Sequence, residues 1–293
     1  MKRKILSTIL ILALAATSVT ACGKSSSADK NKETLTVLNY GKYIDEDAVK
    51  TFEKETGITV KYEEYESPEE MYTKYKAGSI DYDVICSSEY MVEKLINEGE
   101  VQEMDYAGME NYKNLDPTII DMTSSYDKDH TYSVPYFYGT LGLLYNKNEV
   151  DASAVASWDC LWDASYKDEI IMENSVRDTF APALVSLGYS INETDESHLR
   201  EALDILKKQK DNGIVYAYYV DETADSMIAE DAKIALCYSG EAALAMNENE
   251  NLTYSVPKEG SNLWIDSWFI PKSAKNTDAA MKFLNFICRD DIA

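Results

Sequence analysis

Apolar positions in this chain recur with two periods, and the switches between those periods mark its elements. "TLTVLNY" (residues 34–40) alternates as a strand, and "DEDAVKTFEKETG" (45–57) turns helical, with acids in its first turn, Val49 and Phe52 on one face and Gly57 at its end. "ITVKYEEY" returns to period two. Ser67, Pro68 and Glu70 then form a capping box with proline at the first helical position, opening "PEEMYTKYKAG". "YDVICSS" reads as a third strand and "SEYMVEKLINEGE" as a third helix. Strand and helix alternate, which predicts an α/β fold with a parallel sheet covered on both faces.

A second run follows "YSVPYFYGTLGLLYN" (132–146), an apolar, glycine-bearing stretch suited to crossing between two lobes. It holds a strand at "EIIMEN", helices over about 176–187 and 195–210, a strand at "KIALCYSG" and a helix from Glu241. "LTYSVP" and "NLWIDSWFIP" bring the chain back, and "NTDAAMKFLNFIC" reads as a closing helix. The predicted division is 34–141 and 265–293 for one lobe and 142–264 for the other, with a small-molecule cleft between them.

Within "NLWIDSWFIP", period two projects Trp264, Asp266 and Trp268 to one face. A carboxylate among indoles needs a cation or hydrogen-bond donors, because an unpaired charge in such surroundings is costly. No Lys or Arg lies between Lys258 and Lys272. Its partner is therefore a distant basic residue, water at the strand end, or a cation from outside the protein.

The first 21 residues belong to neither lobe. A basic "MKRK", an apolar "ILSTILILALAA" and "VTAC" resemble a bacterial lipoprotein signal, with Cys22 as the lipidated first residue and residues 22–33 as a polar tether. Such a protein works outside the cytoplasm, moored to a membrane through lipid. Basic residues number 28 against 52 acidic; removing Lys2, Arg3 and Lys4 leaves 25 − 52 = −27. That field repels nucleic acid and draws cations inward. Cys86, Cys160, Cys237 and Cys288 are scattered, with no metal-ligand spacing, and read as buried thiols.

Catalytic patterns are absent: no glycine-rich phosphate loop, no H-E-x-x-H, no G-x-S-x-G, and only His130 and His198. "SVPK" (255–258) matches S-x-x-K formally, but Pro257 opposes the helix that motif requires. Aromatic chemistry is abundant instead, with 22 tyrosines and 4 tryptophans against 6 phenylalanines. Tyr40, Tyr43, Tyr90, Tyr238 and Trp264 fall at strand ends, where open α/β sheets line their clefts. Rings plus carboxylates suit an alkylammonium, since the faces attract the cation and the acid takes its N–H donors.

Residues from about 35 onward resemble the polyamine-binding type of bacterial extracellular solute-binding proteins, which serve ABC importers. The likeness is carried by "ETGITVKYEEYESPEEMYTK", "YDVICSSEYMVEKL", "NLDP", "YSVPY", "SWDCLWDASYKDEI", "LGYS", "VPKEGSNLWIDSWFIP" and "SAKNTDAAMKFLNF" in that order. The resemblance implies a two-lobed (type II) periplasmic-binding-protein fold that closes on putrescine or spermidine. It then passes the ligand to membrane permease subunits, without catalysis or cofactor and as a monomer. It implies that Trp264 and Asp266 hold an amine and that Ser88, Tyr90, Tyr238, Tyr40 and Tyr43 line the cleft, with Asp178 as a second carboxylate. Gly41, Lys42 and Ser175 depart from the family pattern, Ser175 standing where an aspartate is usual, so either a different charge count or spacing in the ligand or a Lys42 side chain turned to solvent is expected. The chain stops at "RDDIA", where family members continue, so a fragment or an incomplete C-terminal part is also expected. Alternatives are the same fold taking thiamine, a basic amino acid or another small polar solute, and a surface lipoprotein with an interaction or enzymatic role.

Overall fold

The computed structural model describes residues 33–292; the lipoprotein signal, Cys22 and most of the tether lie outside the described residues. Among the described residues no helix is long and apolar enough to cross a membrane.

The first run folds as read: β1 (Thr34–Tyr40), α1 (Glu46–Thr56), β2 (Thr59–Tyr65), α2 (Pro68–Ala77), β3 (Val84–Ser88) and α3 (Glu89–Asn97). Asp45 caps α1 by accepting from the Asp47 N–H, and Gly57 ends it with φ +76°, a left-handed conformation that glycine adopts without steric cost. Ser67 caps α2 as expected, while Glu70 reaches back to the Glu66 N–H rather than to that of Ser67. After the short α4 (Pro117–Met122), β4 runs from Ser133 to Asn146, and β5 (Ile170–Glu173), α5 (Val176–Ser186) and α6 (Glu196–Asp211) follow. Next come β6 (Val215–Tyr219), α7 (Thr223–Ile228), β7 (Ile234–Tyr238) and α8 (Ser239–Glu248), which starts two residues before Glu241. The last elements are β8 (Leu252–Ser255), β9 (Leu263–Phe269) and α9 (Thr277–Ile287).

The sheet order is β2-β1-β3-β9-β4-β7-β5-β6, with β8 on β4. It is mixed rather than parallel. The β1, β2 and β3 pairings are parallel, as are β5 with β6 and β7, but β9 runs antiparallel to β3 and to β4, and β4 antiparallel to β7 and β8. The alternation of strands and helices is correct for each run, and the strands that leave and re-enter supply the reversals. β4 is the crossing segment: Ser133–Thr140 pairs with β9, and Leu141–Asn146 pairs with β7 and β8.

Each half of the sheet has a core on both faces. Leu35 and Val37 of β1 pack with Phe52 of α1 and Phe283 of α9, while Leu38 faces Met71 of α2 and Leu95 of α3. In the other half, Leu141, Leu143 and Ile170 meet Leu184 and Leu206, while Leu144 and Ile171 meet Met227 and Ala245. The four described cysteines are buried free thiols within these cores. Burial pushes the thiols of Cys160 and Cys288 up to about 12.

Candidate ligand cleft

β9 lies between β3 and β4, with Ser88 opposite Asp266 and Gly139 opposite Trp264. Asp266 is only 6% exposed. Its Oδ2 accepts from the Tyr43 hydroxyl at 2.5 Å and its Oδ1 from Ser88 Oγ at 2.8 Å. Ser88 Oγ in turn shares a 2.7 Å hydrogen bond with the Tyr40 hydroxyl. Its partners among the described residues are thus hydroxyls, and the internal basic partner allowed by the sequence is not among them. Burial pushes the Asp266 carboxyl up to about 7; the Tyr43 and Ser88 hydrogen bonds oppose that rise, and the charges of Glu89 and Asp178 add to it. An ionised Asp266 is held by two neutral donors in a dry place, an arrangement that a cation would complete.

Aromatic rings enclose this carboxylate. Tyr40 meets Tyr43 edge-on at 5.2 Å and Tyr65 at 4.5 Å, and Tyr43 meets Phe137 edge-on at 5.1 Å. The outer side of Tyr43 borders a cavity of about 430 Å³ lined also by Ile44, Tyr136, Phe137 and Ile287. Trp264 stands edge-on to Tyr238 at 5.7 Å, and its Nε1–H is buried without a hydrogen-bond partner. Gly139 leaves room for that indole: a Cβ there would lie 2.6 Å from Trp264 Cζ2 and 2.6 Å from Ser239 Oγ.

Asp178 occupies the first turn of α5. Ser175 caps this helix: the Asp178 N–H donates to Ser175 Oγ, which itself donates to Asp178 Oδ2 at 2.6 Å. The Tyr238 hydroxyl donates to the same oxygen at 2.6 Å, and Asn262 Nδ2 reaches Oδ1 at 3.5 Å. The Asp178 charge is one of those that raise Asp266, so the two carboxylates feel each other across the cleft. Two anions with rings between them match an elongated cation charged at both ends.

The structure therefore joins Asp266, Ser88, Tyr40 and Tyr43 in one hydrogen-bonded group and Asp178 with Tyr238 in another, with Trp264 edge-on to Tyr238. Tyr90 belongs to neither. Its hydroxyl donates to Glu69 at 3.1 Å, and the Arg177 guanidinium lies 4.1 Å from its ring centre, so α5 touches the start of α3 across the cleft. Lys42 adopts φ +53° on the turn after β1, and a Cβ on neighbouring Gly41 would lie 3.4 Å from Asp221 Oδ2. Sequence reasoning passed over Arg177, Glu89, Glu173, Asp221 and Glu241. Glu89, at the start of α3, accepts from the Ile265 N–H at 3.3 Å, and burial raises its carboxyl. Glu173 carried a related signal, a lone carboxylate in an otherwise apolar strand, but at the end of β5 where Asp266 lies in the middle of β9.

Comparison with known proteins identifies a family. The profile of the bacterial extracellular solute-binding proteins matches residues 47–293. The spermidine/putrescine-binding periplasmic protein of Escherichia coli (strain K12) is 35% identical over 283 residues, which is 96% of this chain and 80% of that protein. A solved spermidine/putrescine ABC transporter substrate-binding protein, PotD of Streptococcus pneumoniae, is 40% identical, covers 89% of this chain and 79% of its own, and superposes with a TM-score of 0.72. The Tp0655 (TpPotD) lipoprotein of Treponema pallidum gives 25% identity and a TM-score of 0.79 over 88% of this chain and 81% of its own.

Proposed function

The chain belongs to the bacterial extracellular solute-binding proteins, and from that premise we propose that it captures polyamines outside the cytoplasm and delivers them to an ABC permease. The fold is the two-lobed solute-binding fold of that family, and it acts by binding rather than by turnover. We take residues 34–141 and 265–293 as one lobe and 142–264 as the other, with the protein working as a lipid-anchored monomer through Cys22. One observation carries the reading: a buried Asp266 held only by the Tyr43 and Ser88 hydroxyls, among rings, with no basic partner among the described residues. Asp266 takes one ammonium. Asp178 takes the other end of the chain, Trp264 and Tyr238 cover its methylenes, and Ser88, Tyr40 and Tyr43 hold Asp266 in place. Tyr90 closes the site through its contact with Arg177.

Thermal melting against putrescine, cadaverine, spermidine, spermine, arginine and thiamine tests this. A ligand at 100 times its dissociation constant stabilises by about 2.7 kcal/mol, a shift of about 5–10 °C for a chain of this size. The expected result is a shift with a diamine or triamine. A shift with arginine, thiamine or an uncharged solute alone would overturn the polyamine reading while leaving the binding-protein reading intact.

A further inference from the structure

Around Tyr238, which donates to Asp178, stand two more acids that the proposed binding roles leave unused. Glu173 ends β5 and is fully buried, and neither of its carboxylate oxygens has a hydrogen-bond partner. β5 runs beside β7, with Ile170 opposite Ile234 and Ile171 opposite Ala235. Glu173 therefore comes level with Cys237, next to Tyr238, the residue that donates to Asp178. β7 leads directly into α8, where Glu241 stands in the first turn with its Oε2 buried and unpartnered. Glu173 has no donor and Glu241 has only the Tyr238 N–H, so ionising both acids is opposed by desolvation and mutual repulsion together.

We propose that Glu173 and Glu241, coupled by charge and not by a hydrogen bond, hold a proton in common while the cleft is empty and release it to solvent when a polycation binds against Asp178, so that occupancy raises the negative charge of the site. The step is a simple ionisation: the carboxyl O–H bond breaks, the proton passes to buffer, and the new carboxylate is balanced by the ammonium beyond Tyr238. The inference rests on the polyamine reading for its ligand, but the shared proton stands without it.

The surroundings fit this role. Burial raises the Glu173 carboxyl well above the usual range, and the charges of Glu241, Asp178 and Asp221 raise it further. Burial pushes Glu241 up to about 8; the Tyr238 N–H opposes that rise, Asp221 adds to it, and the charge of Lys42, an exposed residue on the turn after β1, opposes it. Cys237, from β7, faces the same pair and is raised by burial and then by both glutamates. Among the described residues, Lys42 is the one cation that bears on Glu241, and it acts from the turn after β1. A bound polyammonium would add positive charge from the cleft side, where Asp178 has no ion pair among the described residues.

The test has a ligand-free arm and a binding arm, both on the mature protein. Glu241→Gln keeps the shape and the acceptor for the Tyr238 N–H. A carboxyl raised in the folded state makes stability fall as pH rises from its unfolded value to its folded one. The melting temperature of Glu241→Gln minus that of the wild type is therefore expected near zero at pH 4.5 and increasingly positive toward pH 8. A flat or negative difference would overturn the shared proton whatever the protein binds. In the binding arm, calorimetry with spermidine at pH 8, where Asp266 is already ionised, is run in phosphate and in Tris. The buffer dependence should show up to about half a proton released by wild type, since Glu241 is about half protonated at that pH, and close to none by Glu241→Gln. Equal release from both proteins would overturn the coupling. Absence of any polyamine binding, with the ligand-free arm intact, would refute the polyamine reading and the coupling together while leaving the shared proton established.

Discussion

Asp266 sits in mid-sheet and Asp178 in the first turn of a helix, and the same side chain meets opposite physical conditions at the two places. On β9 the backbone N–H groups are turned to the neighbouring strands, so Asp266 depends on hydroxyls 2.5 and 2.8 Å away and on what arrives in the cleft. On α5 the free N–H groups of the first turn and the helix dipole favour a negative charge before any ligand appears. Ser175 and Tyr238 add a donor each, at 2.6 Å. The empty protein thus carries an electrostatic burden at one end of the cleft and a stabilised anion at the other. Binding energy should be drawn mainly from relieving the first.

Neutralising Asp266 should have the largest effect. Asp266→Asn removes one partner of a largely dry charge pair, at a cost of about 2–5 kcal/mol, or roughly 30-fold to several thousand-fold in polyamine affinity by calorimetry. The unliganded protein should become more stable. A carboxyl raised from 3.8 to about 7 carries a penalty that is absent below its unfolded value and grows until pH passes its folded one. At pH 8 that penalty is on the order of 2–4 kcal/mol, so Asp266→Asn should melt roughly 5–10 °C higher there and close to wild type at pH 4. A mutant that melts lower at pH 8 would show that Asp266 serves the fold instead.

The pH dependence of binding follows from the same contrast. Because Asp266 must be ionised to hold an ammonium, wild-type affinity should fall about tenfold per unit as pH drops below about 7. Affinity constant from pH 5.5 to 7.5 would place the binding charge elsewhere.

Asp178→Asn should do less to binding and the reverse to stability. A loss of about 10- to 30-fold in affinity is expected, together with a melting temperature lowered by about 1–3 °C, since the helix start loses a favourable charge worth about 0.3–1 kcal/mol. A rise in melting temperature would dissolve the contrast between the two sites.

The Asp266 half of the site was largely legible in the sequence. Period two put the carboxylate among indoles, and Tyr40, Tyr43 and Ser88 fall at the ends of strands that were read almost residue for residue. Strand ends of one sheet converge, so naming the ends named the group. Strand direction was not legible, because a pattern of buried positions is the same whichever way a strand runs. β6, "VYAYY", escaped notice as an edge strand whose Tyr216 and Tyr218 remain exposed. The Glu173–Glu241 pair escaped because each acid had a plausible local reading, one as a strand end and the other as a first-turn helix residue. Only the β5–β7 register brings them together.

The smallest effect expected is also the most selective, and it comes from two tyrosines that make the same bond to different acids. Tyr43 and Tyr238 each donate a short hydrogen bond to a carboxylate, at 2.5 and 2.6 Å. Tyr43→Phe removes one of two donors holding ionised Asp266, so its carboxyl should rise further, and the acid limb of the binding profile should move up by about one unit. At pH 8.5 the affinity should be within about threefold of wild type. Tyr238→Phe leaves Asp178 with Ser175, Asn262 and the helix N-terminus, so the acid limb should stay in place while affinity drops by a similar small factor at every pH. Binding profiles of the two variants, measured from pH 5.5 to 8.5, check both statements at once. If Tyr238→Phe moved the limb and Tyr43→Phe did not, the titrating acid of the cleft would be Asp178, and the roles given to the two ends would have to be exchanged.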